Sequence, residues 1–118
     1  MHLACKLGPL DIVTFLVSKG ADIEAMNLKK MSPLHYASQK GHLSVVQFLL
    51  ENAAKIDNQN KCGSTSLHLA VDGNHLDIVR LLIERGADRS LRNRNGTTPL
   101  GIAISLNRTS IINYLSSL

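Results

Sequence analysis

One short pattern returns along the chain at a fixed interval, and that interval constrains the fold more than any other feature. Ser32-Pro33-Leu34-His35-Tyr36-Ala37, Thr65-Ser66-Leu67-His68-Leu69-Ala70 and Thr98-Pro99-Leu100-Gly101-Ile102-Ala103 follow one another at 33-residue spacing. The opening Met1-His2-Leu3-Ala4 falls in the same frame, with Met1 at the position of Leu34. Downstream, Gly8, Gly41, Asn74 and Asn107 are equivalent, as are Val13, Val46, Val79 and Ile112, and Leu16, Leu49, Leu82 and Leu115. A unit this short cannot bury its apolar face alone, so such units must stack on their neighbours.

Each copy carries its own local instructions. Ser32 or Thr98 before proline reads as an N-cap followed by Pro at the first helical position, where its missing N–H costs nothing. Thr65-Ser66 keeps the cap without the proline. The first helix should stop at a left-handed residue, which predicts positive φ at Gly8, Gly41, Asn74 and Asn107. A second helix is predicted over 43–51 and over 76–85, from apolar residues such as Val45, Val46, Leu49 and Leu50 at helical spacing. Gly20 and Gly86 should end such helices, and Ala53 stands at the equivalent position. A left-handed Ala53 would cost about 1–2 kcal/mol, unless Asn52 takes that conformation instead. The Asn-rich stretches 60–63 and 93–96 read as turns.

A 33-residue unit of turn plus two helices, bearing Thr-Pro-Leu-His-x-Ala, resembles the ankyrin repeat over essentially the whole chain. The resemblance implies an all-α solenoid of stacked helix-turn-helix units with projecting β-hairpin or turn tips. Short first helices would line a concave face and longer second helices the outer one. It implies a single domain over 1–118, with a truncated first repeat at 1–26 and further repeats at 27–59, 60–92 and 93–118. Ser66, Gly101, Ala53, Pro9 and Lys30 depart from the pattern. The first unit lacks its turn and cap, so Leu3 should be exposed, and the chain is expected to begin inside a longer array. The last unit reads as a cap, with Ser110, Asn113, Ser116 and Ser117 interleaved among Ile111, Ile112, Tyr114 and Leu115. A monomer or a fragment of such an array is expected.

Chemistry finds little purchase in this pattern. Equivalent histidines in adjacent units should lie about 8–10 Å apart, whereas zinc holds its ligands at about 2 Å. The histidines therefore read as ties between neighbouring turns. His2 and Cys5 offer only two ligands. No glycine loop for phosphate and no serine elbow occur. Asp72 and His68 could meet on a helix but lack a nucleophile. The expectation is a non-enzyme with no cofactor, metal or small-molecule substrate. Two cysteines, Cys5 and Cys62, make no disulfide framework. No apolar run approaches the ~18 residues of a membrane span, and no leader pattern is visible. A cytoplasmic or nuclear setting follows as an expectation.

The resemblance locates the binding surface at the turn tips and the ends of the first helices. The tips carry Met26, Leu28, Lys29, Lys30 and Met31, then Gln59, Lys61, Cys62 and Ser64, then Arg92, Arg94, Asn95 and Thr97. The helix ends carry Lys6 and Leu7, Gln39 and Lys40, Asp72 and Gly73, and Ser105 and Leu106. This set holds seven cations and one carboxylate, so the net charge of +4 separates into +6 on the face and −2 elsewhere. The candidate partner-binding residues are Lys6, Met26, Leu28, Lys29, Met31, Gln39, Lys40, Lys61, Asp72, Arg92, Arg94 and Asn95. Together they suggest a protein–protein interaction module or scaffold that binds an acidic, partly apolar segment of another protein. The alternatives are nucleic-acid binding through the same stripe and a passive spacer within an array. Stacking platforms, which single-strand binders use, are missing if Phe15, Phe48 and Tyr114 occupy core positions and Tyr36 a packing position.

Overall fold

Three of the four first helices start where a hydroxyl side chain meets an orphan backbone N–H. The computed structural model describes residues 1–7 and 10–118. Among these it contains eight helices and no strand: α1 (His2–Leu7), α2 (Leu10–Ser18), α3 (Pro33–Lys40), α4 (Leu43–Glu51), α5 (Ser66–Asp72), α6 (Leu76–Glu84), α7 (Pro99–Ser105) and α8 (Thr109–Ser116). Ser32, Thr65 and Thr98 cap α3, α5 and α7 in extended conformation, each accepting from the N–H three residues on. Successive first helices pack on one another in the order α1, α3, α5, α7, and the second helices follow as α2, α4, α6, α8. The result is an all-α stack, elongated at 41 × 25 × 22 Å. The tips are tight turns. Each is closed by backbone bonds from Asn27 to Met31, Asn60 to Ser64 and Asn93 to Thr97.

The left-handed stops fall where backbone geometry demands them. Gly41, Asn74 and Asn107 have φ of 83°, 62° and 58°; Gly8 lies outside the described residues. After the second helices Gly20 and Gly86 both have φ of 91°. Ala53 takes the same conformation itself, at φ 67°, while Asn52 stays at −99°. The strain thus falls on an alanine. Ala53→Gly should stabilise the chain by about 1 kcal/mol, the relief of left-handed strain outweighing the larger unfolded-state entropy of glycine. A higher urea midpoint at unchanged slope is the expected reading; an unchanged midpoint would show the strain is absent.

The core is aliphatic and periodic. Ala37, Ala70 and Ala103 let the first helices approach closely, and Val46, Val79, Leu49, Leu82 and Leu115 fill the layer between the helix rows, all buried. Phe15 is the exception to its expected core position, being 58% exposed. Its equivalent Phe48 packs against the core, because α2 covers α4 and no described helix lies on the other side of α2. Leu3 is exposed, because α1 packs on α3 and α2 and no described helix lies on its other side. In the last unit Ile111 and Leu115 are buried, Ile112 and Tyr114 half-buried, and the interleaved Ser110, Asn113, Ser116 and Ser117 exposed.

Candidate functional site

Two sets of ties hold the concave face in shape. The first is made by buried histidines. His35 Nδ1 accepts from the backbone N–H of Ser32 at 2.9 Å, and its Nε2 lies 2.8 Å from the carbonyl of Asn58, just before the next tip. His68 repeats this with Thr65 N at 3.1 Å and Thr97 O at 2.9 Å. A backbone N–H can only donate and a carbonyl only accept, so both rings are the neutral Nε2–H tautomer. Burial is the main cause that holds both rings below the usual histidine range; the carbonyl bonds pull the other way. With every ring nitrogen engaged, neither histidine presents a lone pair to a metal.

The second set leaves the starts of α4, α6 and α8. His42 Nε2 reaches the carbonyl of Lys6 at 2.9 Å, His75 Nε2 that of Gln39 at 3.0 Å, and Arg108 Nη2 that of Asp72 at 2.7 Å. Each runs back to the end of the preceding first helix, so the spacing between those helix ends is fixed. Gly73 is part of the same contact: a Cβ there would stand 2.7 Å from the carbonyl oxygen of Gln39. The tips are tied separately. Asn27, Asn60 and Asn93 each accept two backbone N–H groups of their own turn. Lys61 N donates to Lys29 O at 2.9 Å and Arg94 N to Cys62 O at 3.0 Å, docking each tip on the one before.

Between tips and helix ends lies an open concavity of about 760 Å³. Lys6, Lys29, Lys40, Lys61 and Arg94 stand around it, with Met31, Tyr36, Gln39, Asn60, Cys62 and Asn95. Among the described residues its wall has five cations and no carboxylate. Lys6 Nζ lies 5.9 Å from the centre of the Tyr36 ring, whose hydroxyl accepts from Asn27 Nδ2 at 2.7 Å. Cys62 is exposed and free, whereas Cys5 is buried, which pushes its thiol up to about 11.

Eight of the twelve candidate residues thus meet around one space: Lys6, Lys29, Met31, Gln39, Lys40, Lys61, Arg94 and Asn95. Four do not. Met26 and Leu28 are exposed outside it, Leu28 at 95%. Asp72 belongs to an adjoining concavity of about 520 Å³. Arg92 turns along its own tip, with Nη1 3.2 Å from Gly96 O. Met31 corrects the expectation of an exposed tip residue. It is 6% exposed, because the chain bends inward there toward the cap of α3, and its sulfur takes the amide of Asn60 at 3.3 Å. The side chain of Leu7 lies outside the described residues.

Sequence reasoning missed the middle position of the first helix. Tyr36, Leu69 and Ile102 occupy it, and all three line the two concavities. Tyr36 is half-buried there, not sealed in packing. The available signal was variability: across the three full hexapeptides this position reads Tyr36, Leu69 and Ile102, while the alanine after it repeats. Arg108 escaped notice as the third member of the His42 and His75 series.

Among the described residues no helix is long and apolar enough to cross a membrane. A comparison with curated proteins gives no match. A family model for ankyrin repeats in three copies matches residues 34–118, and one for ankyrin repeats in many copies matches residues 1–50. Ankyrin repeats are generally non-enzymatic modules for binding other proteins. With stacked helix pairs, left-handed stops and histidine ties in the same register, the chain belongs to the ankyrin-repeat family.

Proposed function

We propose that this chain binds an acidic, extended segment of another protein in the groove between its tips and its first helices, its units 1–26, 27–59, 60–92 and 93–118 serving as one scaffold. The observation that carries this reading is the wall of Lys6, Lys29, Lys40, Lys61 and Arg94 with no carboxylate among them. Like charges held together by rigid ties raise the potential in a concave space and favour an incoming anion. The eight carboxylates other than Asp72 lie off the predicted face. Two of them have structural work: Glu24 and Asp57 accept backbone N–H groups of Lys55 and Asp88, each in the next unit.

The groove is poorly suited to stacking bases. Tyr36 is its only Phe, Tyr or Trp among the described wall residues, and Lys6 and His2 already stand against the ring. Single-strand binders use successive aromatic platforms.

A fluorescent peptide made of alternating Glu and Asp tests the reading. Its affinity should fall about tenfold between ~50 mM and ~300 mM salt, since screening shortens the reach of these charges. No binding, or binding indifferent to salt, would overturn the reading. Tighter binding of a single-stranded oligonucleotide of the same charge would replace the protein partner with a nucleic acid.

A further inference from the structure

The groove changes chemistry within one repeat step. At the helix ends the equivalent positions run Lys40, Gly73, Leu106, and in the middle of the first helices Tyr36, Leu69, Ile102. The concavity of about 520 Å³ that adjoins the basic one shares Gln39, Asn60, Cys62 and Asn95 with it. Among the described residues its wall carries no Lys or Arg; Asp72 is the charged group, and Leu69, Ile102 and Leu106 supply apolar surface. Leu106 is 40% exposed, so the surface is open.

Resting on the reading above, we propose that the groove takes a bipartite segment. Its acidic residues lie among Lys6, Lys40 and Lys61, and an apolar side chain one repeat further along seats against Ile102 and Leu106. Asp72 sets the register, because its carboxylate repels an acidic residue that strays into the apolar half and leaves the basic half unopposed. Adjacent repeats stand about 8–10 Å apart, and an extended chain covers about 3.3–3.6 Å per residue. Acidic block and apolar anchor are therefore about three residues apart. The apolar part of the ligand thus belongs at the α7 end, and not beside Met26 and Leu28, which stand outside both concavities.

Two fluorescent peptides decide the matter. Both have a central block of glutamates and short Gly-Ser spacers; one ends in leucine pairs on both sides, the other in serine pairs. The symmetric design makes chain direction irrelevant. The leucine-flanked peptide should bind about tenfold tighter, the gain from burying one anchor. Leu106→Gln should cut that advantage at least threefold and leave the serine-flanked peptide unaffected, with an unchanged circular dichroism spectrum. Equal binding of the two peptides, or an undiminished advantage in Leu106→Gln, overturns the bipartite groove while the acidic reading survives through the serine-flanked peptide. If neither peptide binds, both fall. If sedimentation shows self-association that Leu106→Gln abolishes, the apolar half belongs to a second copy of the chain and the proposal fails.

Discussion

His68→Ala should destabilise the chain by about 3–5 kcal/mol, a large part of a typical domain's stability. His68 is fully buried and stands at the junction of two units. Its Nδ1 meets both the N–H and the hydroxyl of Thr65, at 3.1 and 2.8 Å, and its Nε2–H donates to Thr97 O at 2.9 Å. Truncation leaves a cavity and orphans a buried donor and a carbonyl in different units. Each unsatisfied buried group costs about 1–3 kcal/mol. The fourth unit supplies a natural comparison. Gly101 occupies the equivalent position, and there Thr98 still accepts its N–H at 3.2 Å, but the return half of the box is missing. Urea denaturation reads the result; a loss under about 1 kcal/mol would mean that water or repacking replaces the ring.

The same geometry makes stability depend on pH. A protonated ring would point an Nδ1–H at the Thr65 N–H, so the folded state favours the neutral form of His68, and of His35 by the same contact with Ser32. Both are held below their ordinary value of 6.5, chiefly by burial; for His35 the Asn58 and Ser64 backbone and the Glu24 carboxylate oppose this. Above pH 6.5 both states are neutral and the term is flat. As pH falls below 6.5 the unfolded chain takes up protons first, and stability drops, by at most about 1.4 kcal/mol per pH unit for each ring. His68→Ala should flatten this slope as well as lower the plateau.

What was legible in the sequence was whatever a backbone can accept from only a few residue types. Positive φ at Gly41, Asn74 and Asn107, and the caps at Ser32, Thr65 and Thr98, follow from local sterics and hydrogen bonding, so residue identity announces them. Ala53 was ambiguous because strain can be moved to a neighbour, and only the packed helix end decides against Asn52. The faces were harder. Phe15 shares its repeat position with Phe48, yet what covers a residue is set by the neighbouring unit and not by its own helix. Met31 sits one residue before a cap, where the chain leaves the tip and turns inward, and no periodicity marks that bend. The two concavities, basic and then apolar, arise from three columns of positions across four units. Their juxtaposition exists only after stacking.

Reversing Lys29, Lys40 and Lys61 together to Glu should weaken binding of an acidic peptide by about a hundredfold, because three local attractions become repulsions in one concavity. The fold should tolerate the change. Lys29 and Lys61 join their tips through backbone groups, which the substitution leaves in place. Lys40 lies in the last turn of α3, where an anion opposes the helix dipole at a cost of about 0.3–1 kcal/mol. Net charge alone would confound the result, so the comparison is Lys19, Lys55 and Arg85 changed to Glu. Both triple variants move the net charge from +4 to −2, but these three side chains lie outside both concavities. The groove variant should lose binding, and the control should lose less than about threefold at ~150 mM salt, where screening confines charge effects to about 8 Å. Equal losses would assign the attraction to overall charge, and the ring of cations around the concavity would then be no binding site.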